Sequence, residues 1–160
     1  MDFDKRLQDA VQRGKRRSDE KAQEAAARAL SEEELKSLHS RYRLSLSEHI
    51  EDCLKQLPNH FPGFRSETIY GERGWGGACY RDDIRIRDGR RDNDYSRLEM
   101  TIRPYSSYNV LELAAKGTIG NKEVFNRSHF EELGEVDPQR FVELIDVWVL
   151  EYAELYAAKQ

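Results

Sequence analysis

The sequence predicts an α+β fold, in which two helices cover one face of an antiparallel sheet of four or five strands. Apolar residues recur at steps of three and four in residues 31–57 and 138–158, but at steps of two between residues 65 and 127. Short turn segments separate the alternating runs, which predicts hairpins and therefore a meander. Because the alternation leaves one sheet face apolar, both helices are expected on that face, as a two-layer sandwich.

The first 30 residues are predicted to form a helical arm. Phe3, Leu7, Ala10 and Val11 make a short apolar stripe, which Gly14 and a charged run interrupt. The Ala-rich stretch 22–30 has strong helix propensity but little bulk to bury. We therefore predict a helical or partly disordered arm over residues 1–30 that is either mobile or dependent on a partner, followed by a single domain over residues 31–160.

A long helix is predicted over residues 31–57. Ser31 and Glu34 have the spacing of a capping box, which indicates a helix start. Pro58 indicates its end. The apolar stripe of this helix consists of Leu35, Leu38, Tyr42, Leu46, Ile50, Cys53, Leu54 and Leu57.

Five alternating runs predict the strands, and they cover residues 65–72, 79–87, 95–103, 108–119 and 123–127. In the second run the alternation is interpreted with Tyr80, Ile84 and Ile86 facing the helices. In the third, Leu98, Met100 and Ile102 are expected to face them. Gly120 and Asn121 indicate a two-residue hairpin turn between the last two strands.

The C-terminal helix is predicted from Pro138 to residue 158. Asp137 is a suitable N-cap, and Pro138 suits the first helical position. Residues 128–133 are predicted to form a short helical turn before it. Its buried stripe is expected to consist of Phe141, Leu144, Ile145, Trp148, Tyr152, Leu155 and Tyr156.

The basic residues are unevenly distributed. The chain has 26 Lys and Arg against 30 Asp and Glu, for a net charge of -4, yet every basic residue between positions 58 and 105 is Arg. Such a surface is either a lattice of cross-strand ion pairs or a platform that binds an anion or a partner. The acidic neighbours favour the lattice. The candidate partner-binding residues are Arg73, Trp75, Arg81, Arg85, Arg87, Arg97 and Arg103.

No residue pattern indicates an active site. The sequence lacks a Gly-x-Ser-x-Gly nucleophile motif, and the Gly-rich segment 71–77 lacks the Lys-Ser/Thr ending of a P-loop. His39 and His49 lie about 80° apart around their helix and nearly three turns apart along it, so they cannot share an ion. His49 is interpreted as a boundary histidine, and Cys53 as a small buried residue. We predict no catalytic residue, no metal site and no cofactor.

Three functions are consistent with these observations. The first is a non-enzymatic protein-interaction domain that forms a homodimer through the arm, the Arg-rich face, or aromatic residues near positions 105–108 and 152–156. The second is binding of RNA or single-stranded nucleic acid by the Arg-rich face, which the acidic pI of about 5.7 disfavours. The third is a small-molecule-binding domain or enzyme, with a pocket between helices and sheet that is lined by Tyr80, Met100, Trp148 and Tyr152.

The sequence also predicts where the protein works. No apolar run is long enough to span a membrane, and the N-terminus has no apolar core of a secretory signal. Cys53 and Cys79 suit a reducing compartment. We therefore expect a cytoplasmic protein without membrane contact.

Overall fold

The computed structural model describes residues 2–159, apart from the side chains of residues 27–31, and it has the predicted α+β class. The chain divides into two units, residues 1–37 and 38–160. The elements, in chain order, are helix α1 (Phe3–Leu54), helix α2 (Leu57–His60), strands β1 (Arg65–Ile69), β2 (Trp75–Arg87), β3 (Arg90–Ile102), β4 (Val110–Ile119) and β5 (Lys122–Glu132), a 3-10 turn (Leu133–Glu135) and helix α3 (Pro138–Ala158). The predicted division into an arm over residues 1–30 and a domain over residues 31–160 stays a prediction.

The sheet is the predicted antiparallel meander, with five strands in the order β1-β2-β3-β4-β5. Its two tightest turns have positive φ at both central residues. These are Asp88-Gly89, at 51° and 74°, and Gly120-Asn121, at 55° and 69°. Such turns match the right-handed twist of the flanking strands. The hairpin predicted at Gly120-Asn121 is confirmed.

The core of the second unit lies between one sheet face and two helical segments, which are residues 38–54 of α1 and the whole of α3. Leu54 of α1 lies over Gly77, where an added Cβ would come within 3.3 Å of the Leu54 side chain. On α3, the Tyr152 hydroxyl donates a hydrogen bond of 2.8 Å to the Thr118 carbonyl. Leu98 and Met100 of β3 are fully buried beneath these helices.

The start and end predicted for the long helix were both wrong. Helix α1 begins at Phe3 and continues through Ser31, whose side chain lies outside the described residues. No Gly or Pro occurs between Gly14 and Pro58, so nothing in the sequence interrupts the helix. Pro58 lies instead in the first turn of α2, where its missing amide costs no hydrogen bond.

The helical turn predicted over residues 128–133 was also mostly wrong. Strand β5 continues to Glu132, and its last residue still pairs with Val110 of β4. The ladder with β4 satisfies the backbone of this segment, which has no strong helix signal of its own. Helical structure begins only at the 3-10 turn. Helix α3 then starts as predicted, with the Asp137 side chain accepting from the Gln139 amide at 3.1 Å.

The two faces of β2 are the reverse of those predicted. Cys79 pairs with Leu98 and is fully buried, whereas Tyr80 pairs with Arg97 on the opposite face. Ile84 and Ile86 are 56% and 79% exposed. Alternation defines two faces but does not determine which one is covered. Here the small side chain of Cys79 and the bare backbone of Gly77 leave room for the helices.

His39 is a buried histidine of α1 with a structural role. Only 3% of it is exposed, and its Nε2 lies 3.1 Å from the Arg103 carbonyl, to which it donates. Burial lowers the pKa of His39, and the charge of Arg43 lowers it further, although the hydrogen bond to Arg103 raises it. The folded protein therefore holds this imidazole neutral below the pH at which it would gain a proton in the unfolded chain.

This lowered pKa predicts a loss of stability on acidification. Below about pH 6.5 the unfolded chain binds a proton at His39 that the folded chain does not, so the free energy of unfolding falls by up to about 1.4 kcal/mol per pH unit, until the folded-state pKa is reached. His39→Gln should remove this component. Urea unfolding at pH 7.5, 6.5 and 5.5 would measure it, with the exposed His60→Gln as control. Equal pH dependence of wild type and His39→Gln would contradict the prediction.

Candidate functional site

The predicted arginine surface contains an ion-pair cluster on the sheet face opposite the helices. Arg97 contacts Glu67 at 2.8 Å and Glu99 at 3.1 Å, and Arg73 contacts Glu99 at 2.8 Å. Burial alone would lower the pKa of Arg97, but the hydrogen bonds to the two carboxylates outweigh burial and raise it. Each of these guanidinium groups already has a carboxylate partner within the chain. The cluster therefore has the geometry of a lattice of cross-strand ion pairs.

The other arginines of β2 do not join this cluster. Arg81, Arg85 and Arg87 alternate with Tyr80 and so lie on the side of the strand that carries Cys79. Arg81 contacts Asp83 at 2.7 Å and donates to the Pro62 carbonyl at 2.9 Å. Arg85 contacts Asp94 at 3.0 Å. The prediction of one continuous arginine face was wrong, because it depended on the reversed assignment of β2.

Arg73 and Trp75 are not a freely exposed pair. Trp75 is half-buried at the start of β2, and the guanidinium carbon of Arg43 lies 4.2 Å from the centre of its ring. Arg103, at the end of β3, lies 4.0 Å from Glu112. Each of these candidate residues therefore has a partner within the chain. None of them identifies a ligand.

The four residues of the predicted helix–sheet pocket do not converge. Met100, Trp148 and Tyr152 are between 0% and 6% exposed and belong to the core. Burial raises the pKa of Tyr152, in keeping with this position. Tyr80 lies on the opposite sheet face, where its ring is 5.9 Å from the Arg97 guanidinium carbon. The third alternative, a pocket lined by these four residues, is therefore wrong, and three of the four belong to the core.

The apolar stripe predicted near the N-terminus is exposed along α1. Phe3, Leu7 and Val11 are 74%, 50% and 51% exposed. The exposed small residues Gly14, Ser18 and Ala22 continue the stripe at steps of three and four. An added Cβ at Gly14 would meet nothing within 4 Å, so the described chain gives no steric reason for a glycine there. We call these six residues the N-terminal stripe.

A cluster of three polar side chains lies between the helices of the second unit, and the sequence did not predict it. His49 Nε2 is 2.7 Å from Asp146 Oδ1, and Cys53 Sγ is 3.5 Å from each of these two atoms. His49 and Cys53 are one turn apart on α1 and so share a helix face. Asp146 comes from α3. All three side chains are half-buried.

The cluster opens into a groove with a volume of about 410 Å³. Leu57, Val149, Leu150 and Ala153 give this groove an apolar lining, and His60 of α2 also borders it. A small ligand could therefore reach the three polar atoms through this groove. The His-x-x-x-Cys spacing was the one sequence signal of this arrangement.

The geometry of the cluster differs from that of a Cys-His-Asp catalytic triad. In a triad the nucleophile and the carboxylate bind different nitrogens of the histidine. Here Asp146 and Cys53 both approach Nε2 of His49. Burial, together with the hydrogen bond to Asp146, raises the pKa of Cys53 to about 12, opposite to the change that activates a nucleophilic cysteine. His49 Nε2, Cys53 Sγ and Asp146 Oδ1 instead lie within 3.5 Å of one another.

Comparisons with protein-family models, with curated proteins and with solved structures found no match to this chain. Among the described residues, no helix combines the length and apolar character that a membrane crossing requires.

Proposed function

We propose that this chain is a non-enzymatic protein-interaction domain that self-associates through the N-terminal stripe. The exposure of Phe3, Leu7 and Val11 along one side of α1 is the observation that carries the proposal. Residues 3–26 are helical and all of them are exposed, and a helical segment that buries none of its side chains is only marginally stable in water. Burial of its apolar stripe against another helix supplies the missing stabilisation.

A second copy of this chain is the partner that we propose, in an antiparallel arrangement. When Val11 lies opposite Gly14 of the other copy, Leu7 lies opposite Ser18 and Phe3 opposite Ala22, so that each large residue meets a small one. The antiparallel arrangement is also favoured by the basic residues of this segment, which are Arg13, Lys15, Arg16 and Arg17. A parallel pair in register would place these like charges side by side.

We place this self-association in the cytoplasm. Cys53 and Cys79 are both free thiols, as is usual for a reducing compartment. The proposal needs no other component, because a two-fold pair uses the same surface on both copies.

Substitution of the stripe should dissociate the dimer. Val11→Glu and Leu7→Glu each remove an apolar side chain worth about 1.5–3 kcal/mol when buried and bring a charge into the interface, so affinity should fall by roughly 100-fold or more. Light scattering on a sizing column would report twice 18.7 kDa for the wild type and 18.7 kDa for both variants. Gln12→Glu adds the same charge outside the stripe and should leave the dimer intact.

Gly14→Leu separates helix stability from association. Leucine raises the helix propensity of this position by about 0.8–1 kcal/mol, yet its side chain would occupy the space that Val11 of the second copy needs. We expect a more helical chain that no longer dimerises. The proposal fails if the wild type has a mass of 18.7 kDa at every micromolar concentration, or if Gln12→Glu dissociates as readily as Val11→Glu.

A further inference from the structure

The structure assigns a zinc-binding site to His49, Cys53 and Asp146, with the fourth coordination position open to the groove. These residues offer an imidazole nitrogen, a sulfur and a carboxylate oxygen, which are the ligand types that Zn²⁺ takes in proteins. Three protein ligands and one open position are the pattern of zinc sites that bind water or a small ligand. The inference is independent of the proposed self-association.

Two of the three distances between the ligand atoms match those around a tetrahedral ion. With bonds of about 2.3 Å to sulfur and about 2.0 Å to nitrogen or oxygen, a tetrahedral zinc ion sets the sulfur about 3.5 Å from both the nitrogen and the oxygen, and the nitrogen about 3.3 Å from the oxygen. The two observed distances from Cys53 Sγ are both 3.5 Å. Only the 2.7 Å contact between His49 and Asp146 must lengthen, by about 0.6 Å, which a small side-chain rotation provides.

The surroundings favour an ion over a plain hydrogen-bond network. Cys53 and His49 are fixed on one helix at a spacing of four residues, so two ligands are already aligned before metal binds. Asp146 comes from a helix whose buried residues anchor it against the sheet. The apolar lining from Leu57, Val149 and Leu150 lowers the local polarity and strengthens coordination.

The choice of zinc follows from the ligands. A thiolate and an imidazole select against Mg²⁺ and Ca²⁺, which prefer sites made of oxygen atoms. Zinc binding displaces the thiol proton of Cys53 to solvent, while the neutral imidazole of His49 keeps its one ring proton on Nδ1 and binds the metal through Nε2. No redox step is involved.

Cobalt titration of the full chain tests this site. Co²⁺ substitutes for zinc, and its bond to a thiolate gives a charge-transfer absorption band that a hydroxyl cannot give. We expect one equivalent of Co²⁺ to produce this band, and Zn²⁺ to abolish it by displacement. Cys53→Ser should remove the band. His49→Gln and Asp146→Asn each remove a direct ligand and should weaken Co²⁺ binding by at least roughly 10- to 100-fold. That is the loss usually caused by removing a residue that only supports a ligand.

Two matched controls make the result specific. Cys79→Ala removes the other thiol, which is fully buried elsewhere, and should keep the band. His60→Gln alters the other histidine at the groove and should also keep it, because the fourth position is open. Circular dichroism of each variant confirms folding, and Zn²⁺ should raise the thermal midpoint of the wild type but not of Cys53→Ser. A wild type without a band at millimolar Co²⁺, or a band that survives in Cys53→Ser, would overturn the assignment.

Discussion

Gly76→Ala is expected to destabilise the protein by about 3 kcal/mol, at the upper end of the usual cost of overpacking a filled site. Gly76 lies in β2, between two neighbouring strands, and it pairs with Ile69 of β1 and Thr101 of β3. A Cβ at this position would lie 2.1 Å from the carbonyl oxygen of Met100 and 3.0 Å from Thr101 Cα. Both are backbone atoms, which cannot rotate out of the way as a side chain can.

Relief of this clash requires β3 to move, and β3 is held on its other side by β4, where Thr101 pairs with Ala114. Urea unfolding of wild type and variant would give the two free energies. Gly134→Ala is the matched control, because Gly134 is exposed and an added Cβ there meets nothing within 4 Å. We expect that control to change stability by less than about 0.5 kcal/mol. Similar values for both variants would show that the strands are not this closely spaced.

The features of the fold that short segments encode could be predicted from the sequence. The periods of three-four and two predicted two of the helices and four or five strands, and Gly120-Asn121 and Asp137-Pro138 predicted a turn and a helix start. Each of these signals involves residues that are neighbours in the chain. The hairpin pairing follows from short connections alone. Local patterns were therefore sufficient to predict the fold class, an antiparallel meander with helices on one face.

The features that depend on distant residues could not be predicted in this way. Tyr80 and Cys79 alternate equally well in either orientation, and the buried side of β2 is set by which face the helices cover. Gly77 and Leu54 determine that contact, and they are far apart in sequence and come from different elements. The error in β2 then spread to the arginine face and to the pocket, since both predictions used the same assignment.

The cluster of His49, Cys53 and Asp146 likewise combines a feature that neighbouring residues encode with one that depends on distant residues. The first two residues are visible in the sequence as a pair on one helix face. Asp146 is 97 residues from His49, and only the packing of α3 beside α1 brings it within 2.7 Å. The spacing between histidines, on which the prediction of no metal site depended, does not include the cysteine four residues after His49.

Phe141→Ala is expected to be more destabilising than Gly76→Ala, at about 3–5 kcal/mol. Phe141 is fully buried in the first half of α3, and its ring lies 5.1 Å from the ring of His129 on β5, edge to face. Truncation to alanine leaves a cavity between helix and sheet. Because Asp146 follows five residues later on the same helix, loosening of α3 should also weaken metal binding by the proposed zinc site.

Leu150→Ala is the matched control for Phe141→Ala, because it truncates an apolar side chain of the same helix that is 67% exposed. Its cost should stay below about 1 kcal/mol, since little apolar surface returns to water. Phe141→Leu refills much of the cavity and should recover a large part of the loss. Urea unfolding followed by the fluorescence of Trp75 and Trp148 would measure all three variants. Equal losses for Phe141→Ala and Leu150→Ala would mean that α3 does not pack on the sheet through Phe141.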